Sequence, residues 1–486
     1  MNFASLAFFV FLPTVFAIYW LLPRRAWQNV LLLGASYFFY GWWDYRFCFL
    51  MLASTLIDYF ISLGIQGTED PVCRKRLLIL SLVSNLGLLG VFKYFNFFME
   101  NFVTVTSSLG MNLNTGTLEI ILPVGISFYT FQTLSYTIDI YYKKMTATRN
   151  LIEYMTFVSF FPQLVAGPIE RARNLLPQFQ QDRHFHGEFI QLGLLRILWG
   201  LFKKVVVADT LATFVNATYN NPGTATGSEL AIATVFFAFQ IYCDFSGYSD
   251  IAIGTAHMFG IKLMRNFAYP YFSQNLREFW QRWHISLSTW FRDYVYIPLG
   301  GNRVSKVRQK WNLLITFLVS GFWHGAAWPF LIWGGLHGAV VTVWRPSKST
   351  PRMRLRQAGG DGLIPKPMVV VRILTTFLFV CFCWIFFRAN TLSDCWLIIG
   401  KIGSEAATLS LYQGFGEVFR IPEIARAGWV LLFLVGLEWV QRHREHPLEL
   451  TRLPEPLQWS TISLVAWFVI EYGSTVQENP FIYFQF

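Results

Sequence analysis

The chain alternates long apolar stretches with short polar breaks. Crossing a hydrocarbon core takes about 20 mostly apolar helical residues. Stretches near that length fall at 3–22, 29–43, 47–66, 77–97, 119–142, 189–216, 229–258, 312–327, 328–344, 369–388, 427–441 and 459–475. Two more, 151–168 and 266–300, are hydrophobic but interrupted. The first ends in Ala166-Gly167-Pro168, and the second mixes many aromatics with charges. Irregular backbone at membrane depth must be sheltered by protein, so both are predicted to be re-entrant or interfacial. The pattern predicts an all-α integral membrane protein with roughly a dozen transmembrane helices.

Composition strengthens that picture. Only 14% of the 486 residues are charged and the mean hydropathy is +0.40, whereas a soluble domain carries about 25% charged residues. The net charge of +11 would suggest a polyanion partner in a soluble protein. Here the basic residues gather in short loops, where they orient the chain. Arg24-Arg25, Arg74-Lys75-Arg76, Lys143-Lys144, 292–310, 345–366 and 442–452 are basic, while 98–118 and 217–228 hold no Lys or Arg. This alternation predicts both termini outside the cytoplasm. Lys203-Lys204 fits poorly, because it falls inside a predicted crossing. Residues 3–22 read as a retained first span, and 345–367 as a flexible cytoplasmic loop. No internal repeat divides the chain, so 1–486 reads as one domain.

Polar residues inside a membrane are costly and default to functional candidates. They concentrate between about 240 and 340. Asp244 and Asp250 lie in an apolar helix, and Glu278, Arg282, His284, Arg292 and Asp293 follow among tryptophans. Next come the Gly300-Gly301-Asn302 turn, Trp323-His324-Gly325 and finally His337. His324 lies about 20 Å along a helix from the preceding basic loop, at 1.5 Å per residue. A neutral imidazole there can accept a proton from a hydroxyl attacking a thioester, the general-base role. A core histidine bonded between helices is the competing reading. His284, set among Trp280, Trp283 and Trp290, reads as an interfacial anchor or a second catalytic group. His337, beyond Pro329, reads as structural.

Other chemistries find no support in the spacing. The chain lacks a nucleophile elbow, a P-loop, an H-E-x-x-H helix and a dinucleotide fingerprint. The six cysteines are scattered, and His184/His186 has no companion ligands, so no metal site is predicted. Asp58 and Asp139 read as interhelical hydrogen-bond partners.

Several of these segments together resemble the membrane-bound O-acyltransferase family, in its alginate O-acetylation branch. They are Asp244-Phe-Ser-Gly-Tyr-Ser-Asp250, Phe279-Trp-Gln-Arg-Trp-His-Ile-Ser-Leu-Ser288, Phe291-Arg-Asp-Tyr294 and Trp323-His-Gly325. Val165–Glu170, Tyr37–Trp42 and Phe481–Phe486 extend the likeness along nearly the whole chain. The resemblance implies that His324 is the catalytic histidine and His284 the second polar residue of the site. Arg282, Asp244, Asp293, Asn302, Trp323 and His337 are then expected to support it or line a channel. It further implies a ring of tilted helices around a central funnel, in a multi-pass protein of the bacterial inner membrane. The donor would be cytoplasmic acetyl-CoA, with no resident cofactor or metal. The acetyl group would pass to a periplasmic serine-esterase-like partner of a polysaccharide secretion machinery.

Overall fold

Several helices begin where the sequence supplies a side-chain cap, as Ser5, Asp70, Asn150, Asn275, Ser305 and Thr391 do. The computed structural model describes residues 1–486 except 112–121, 166, 344–363, 409, 451–452, 474–480 and 483–486; the predicted loop 345–367 falls mostly outside the described residues. No strand forms among the described residues. Two compact units divide the chain, one of residues Met1–Leu194 with Ala252–Met264, the other of Leu195–Ile251 with Arg265–Phe486.

The first unit holds α1 (Leu6–Leu21), α2 (Arg25–Gly41), α3 (Arg46–Gly67), α4 (Pro71–Leu89), α5 (Phe95–Ser108), α6 (Ile126–Tyr141), α7 (Leu151–Ser159), α8 (Phe161–Leu164) and α9 (Ala172–Phe179). Asp70 caps α4 by accepting from the Val72 and Cys73 amides, ahead of Pro71. Proline suits the first helical turn, whose N–H groups lack partners within the helix. A π-turn at Gly90–Tyr94 joins α4 to α5, making one helix over Pro71–Ser108. The expected loop at 98–118 is therefore helical through Ser108. Its polar residues do not break the helix because they bond backward: Asn101 to the Phe97 carbonyl (2.7 Å), Thr104 to Glu100 (2.8 Å) and Thr106 to Phe102 (2.9 Å). Asp58 is the hub of a polar seam joining α3 and α4. It accepts from Ser81 Oγ (2.5 Å) and Asn85 Nδ2 (2.7 Å), the interhelical role expected of it. Arg74 donates to the Ile65 and Tyr141 carbonyls (2.6 and 2.8 Å), tying the ends of α3 and α6 together.

The chain passes between units inside α10 (Gly187–Leu201) and α12 (Gly227–Met258), with a π-turn at Phe202–Ala208 and α11 (Asp209–Asn220) between them. The second unit explains Lys203-Lys204. A Cβ on Gly200 would lie 2.6 Å from the Gly247 carbonyl, so the two backbones touch. The lysines after Gly200 thereby reach the acids around Gly247. Lys203 Nζ binds Asp250 at 2.5 Å and Ser246 at 2.9 Å, while Lys204 Nζ binds Asp244 and Asp209, each at 2.8 Å. Arg196 adds a third cation, 3.3 Å from Asp250. Buried charges persist in such a setting only when paired.

The predicted broken segment 266–300 is broken as expected, into α13 (Leu276–Arg282), α14 (Ile285–Phe291) and a π-turn at Arg292–Tyr296. There follow α15 (Lys306–His324), α16 (Trp328–Val343), α17 (Pro367–Arg388), α18 (Leu392–Ala407), α19 (Ser410–Val418), α20 (Pro422–Val440) and α21 (Glu455–Gly473). Helices α18 and α19 were not foreseen; α18 starts on a capping box of Thr391 and Asp394. By length and composition, Arg46–Gly67, Pro71–Ser108, Gly227–Met258 and Pro367–Arg388 can each cross a membrane, and α1 and α16 are apolar but shorter. The protein is a helical, multi-pass membrane protein.

Candidate active site

His284 owes its position to a reversal of the chain between α13 and α14. Asn266 staples the start of α14: its carbonyl takes the Ile285 amide (2.9 Å) and its side chain takes Ser286 Oγ (2.9 Å). Arg282 closes the other side. It donates to the Ala268 carbonyl (3.1 Å) and pairs with Glu278 at 3.0 Å. Between these anchors His284 adopts a left-handed conformation (φ 43°, ψ 55°) at the N-cap of α14. That geometry costs a non-glycine residue roughly 1–2 kcal/mol, and the surrounding bonds impose it. The imidazole is fully buried, with its ring 4.6 Å from Phe245 and 6.3 Å from Trp323.

His324 is the last residue of α15 and is held by the turn into α16. A Cβ on Gly321 would run into the Phe330 carbonyl, and one on Gly334 into the Phe317 carbonyl. The two helices therefore pack backbone against backbone. Their closeness surrounds His324 with Trp323 (4.8 Å between ring centroids), Trp333 (5.1 Å) and Phe387 of α17 (5.3 Å). Trp323 is the ring shared by the two histidines, so the sequence-predicted pair is gathered around one indole.

A cavity of about 410 Å³ runs beside α15. Leu313, Thr316, Phe317 and Ser320 line it from that helix. Their spacing is i, i+3, i+4 and i+7, one helix face. His324, at i+11, is the next position on that face, about 6 Å beyond Ser320 at 1.5 Å per residue. Arg277, Gln281, Ser288 and Arg292 add polar groups, and Asn302 lies near the start of α15. Exposed Arg303, Lys306, Arg308 and Lys310 follow Asn302. With Arg277 and Arg292 in its lining, the cavity is suited to an anionic group.

The remaining candidates fall in different places. Asn302 lines the cavity and accepts from Tyr296 Oη (2.5 Å) and Gln309 Nε2 (2.9 Å). Asp293 pairs with the cavity residue Arg292 at 2.8 Å. Arg282 braces the backbone on either side of His284. Asp244 is committed elsewhere, to Lys204 and to the Ile482 amide (2.7 Å), although its neighbour Phe245 touches His284. His337 receives the Trp280 indole N–H on Nδ1 at 3.3 Å. Sequence reading did not single out Arg277, Thr316 and Ser320; the signal for Thr316 and Ser320 was their helical spacing ahead of His324, and Arg277 had none. It also missed the cage of Trp333 and Phe387, which no local pattern connects. Among the described residues no group of three metal-ligating side chains forms.

The sequence model of the membrane-bound O-acyltransferase family matches residues 142–387, a stretch that holds both histidines and the whole cavity lining. A probable alginate O-acetylase of Azotobacter vinelandii is 42% identical, over 82% of this chain and 77% of its own. One from Pseudomonas putida is 36% identical over the full length of both. A peptidoglycan O-acetyltransferase of Helicobacter pylori is 36% identical over 82% of this chain and 79% of its own. With that match and these relatives, this chain belongs to the membrane-bound O-acyltransferase family and is an O-acyltransferase.

Proposed function

We propose that the protein takes an acetyl group from cytoplasmic acetyl-CoA and passes it across the bacterial inner membrane for O-acetylation of an exported polysaccharide such as alginate. The observation that carries this reading is the stripe Leu313, Thr316, Phe317 and Ser320 on one face of α15, which lines a cavity together with Arg277 and Arg292 and is continued one helical turn further on by His324. Guanidinium groups favour the phosphates of coenzyme A, and the slim pantetheine arm suits a passage toward a buried imidazole. His324 accepts the hydroxyl proton as that oxygen attacks the thioester carbonyl. The C–S bond then breaks, the thiolate leaves and takes up a proton, and ester plus thiol result. His284, across Trp323, steadies the charge that develops on the carbonyl oxygen.

The acetyl acceptor on the far side is a periplasmic serine-esterase-like partner that esterifies sugar hydroxyls. The likeness to alginate O-acetylases over most of the chain supports an exopolysaccharide as the final acceptor. The likeness to a peptidoglycan O-acetyltransferase supports a second reading, with cell-wall glycan as acceptor.

The deciding experiment supplies acetyl-CoA labelled in the acetyl group to inside-out membrane vesicles. Label should enter alkali-labile ester with wild-type protein and not with His324→Ala at equal protein level. Equal labelling by both would sink the assignment of His324. Absence of label from both, even with periplasmic extract added, would sink acetyl-CoA as donor. Alginate and peptidoglycan added separately distinguish the two acceptors.

A further inference from the structure

The inner wall of the cavity contains an interaction that general-base chemistry does not require. Trp280 of α13 lines the cavity, and behind it lies His337 of α16, fully buried. The Trp280 Nε1–H donates to His337 Nδ1 at 3.3 Å, with the rings 5.1 Å apart and near perpendicular at 84°. His337 cannot turn away. Phe279 and Phe317 lie parallel to it at 9° and 18°, and Trp333 and Phe379 close the box. With Nδ1 accepting, a neutral imidazole keeps its proton on Nε2, which has no hydrogen-bond partner among the described residues. A phenyl ring would fill such a box without burying a polar nitrogen at a cost. What the histidine adds is an acceptor for the indole.

We propose that His337 is a positioning residue that fixes Trp280 as a wall of the acyl-donor cavity by accepting its indole N–H. This rests on the reading of the cavity as the donor site. A tethered indole holds the passage to one shape, so the donor need not order the wall as it binds. Loss of the tether should therefore weaken donor binding while leaving the chemistry at His324 nearly intact.

The test compares wild type, His337→Phe, His337→Asn and Trp280→Phe in vesicles with acetyl-CoA. His337→Phe and Trp280→Phe should each raise KM at least fivefold with kcat within threefold of wild type. The double variant should be no worse than either single one. His337→Asn should recover KM to within twofold, because its amide oxygen can stand near the former Nδ1. An unchanged KM in His337→Phe, or no recovery in His337→Asn, would overturn the proposal. A measurement independent of the donor follows alkylation of Ser288→Cys, on the cavity wall, by N-ethylmaleimide with peptide mass spectrometry. The rate should rise at least threefold with His337→Phe and stay level with His337→Asn; equal rates in all backgrounds would overturn the tether. If wild type fails to use acetyl-CoA, the donor reading falls, and the alkylation series alone decides the role of His337.

Discussion

Gly321 of α15 and Gly334 of α16 face each other so closely that a Cβ built on Gly321 would stand 3.3 Å from the Gly334 Cα. His324 is three residues beyond one of these glycines, and Trp333 immediately precedes the other. The spacing of the imidazole from the indole that cages it is therefore set by two missing side chains.

Gly321→Ala should push the helices apart and shift His324 within its ring cage. Inserting a methyl group into a packed contact costs about 1–3 kcal/mol, and a displacement near 1 Å at a reacting group can cost about 100-fold in rate. The expected outcome is a loss of kcat well over tenfold in protein that still reaches the membrane. Acetyl transfer and thermal unfolding in detergent measure the two effects separately.

His324→Ala should lower kcat by about 100-fold or more, the usual contribution of a general base, with little change in KM. His284→Ala should also reduce kcat, through loss of charge stabilisation and of the packing beside Trp323. Steady-state kinetics with labelled acetyl-CoA check both. A KM effect larger than the kcat effect at His324 would contradict its role as base.

Arg292 is mostly exposed and pairs with its sequence neighbour Asp293 at 2.8 Å, so an anion can recruit it at small cost. Arg292→Ala should raise the KM for acetyl-CoA about tenfold, equivalent to about 1.4 kcal/mol. Because the interaction is charged and solvent-accessible, added salt should narrow the gap between variant and wild type. Titration of KM at two ionic strengths tests this.

Lys204 stands between Asp209 and Asp244, and removing it leaves two buried acids without that cation. Breaking a buried ion pair from one side costs about 3–5 kcal/mol. Lys204→Met should lower the unfolding midpoint sharply. The triple variant Lys204→Met/Asp209→Asn/Asp244→Asn should recover most of the loss. Equal midpoints in the single and triple variants would show that the network contributes little to stability.

The Lys203-Lys204 pair shows where reading along the chain reached its limit. As a doublet it looked misplaced in an apolar segment; its partners Asp244 and Asp250 sit some forty residues away and meet it only because Gly200 and Gly247 let two helices touch. Asp244 was singled out for its cost in the membrane as a group supporting the site or lining a channel; in the structure it pairs with Lys204. The stretch 98–118, read as a break between spans that holds no Lys or Arg, is helical as far as Ser108, and 112–118 lie outside the described residues. Its Asn and Thr side chains bond carbonyls one turn back within the helix.

Apolar length and scarcity of charge determined by themselves that this is a helical membrane protein, because every buried backbone group must be paired and only a helix pairs it locally. The motifs around His284 and His324 carried the resemblance to the family, and the interruptions in 266–300 were legible as charges set among aromatics. Tertiary structure decided what those histidines face. The cage of Trp323, Trp333 and Phe387, the tether from Trp280 to His337 and the lysine clamps join residues from separate helices. Such contacts depend on how closely backbones approach, and that distance is a property of packed surfaces that no local pattern encodes.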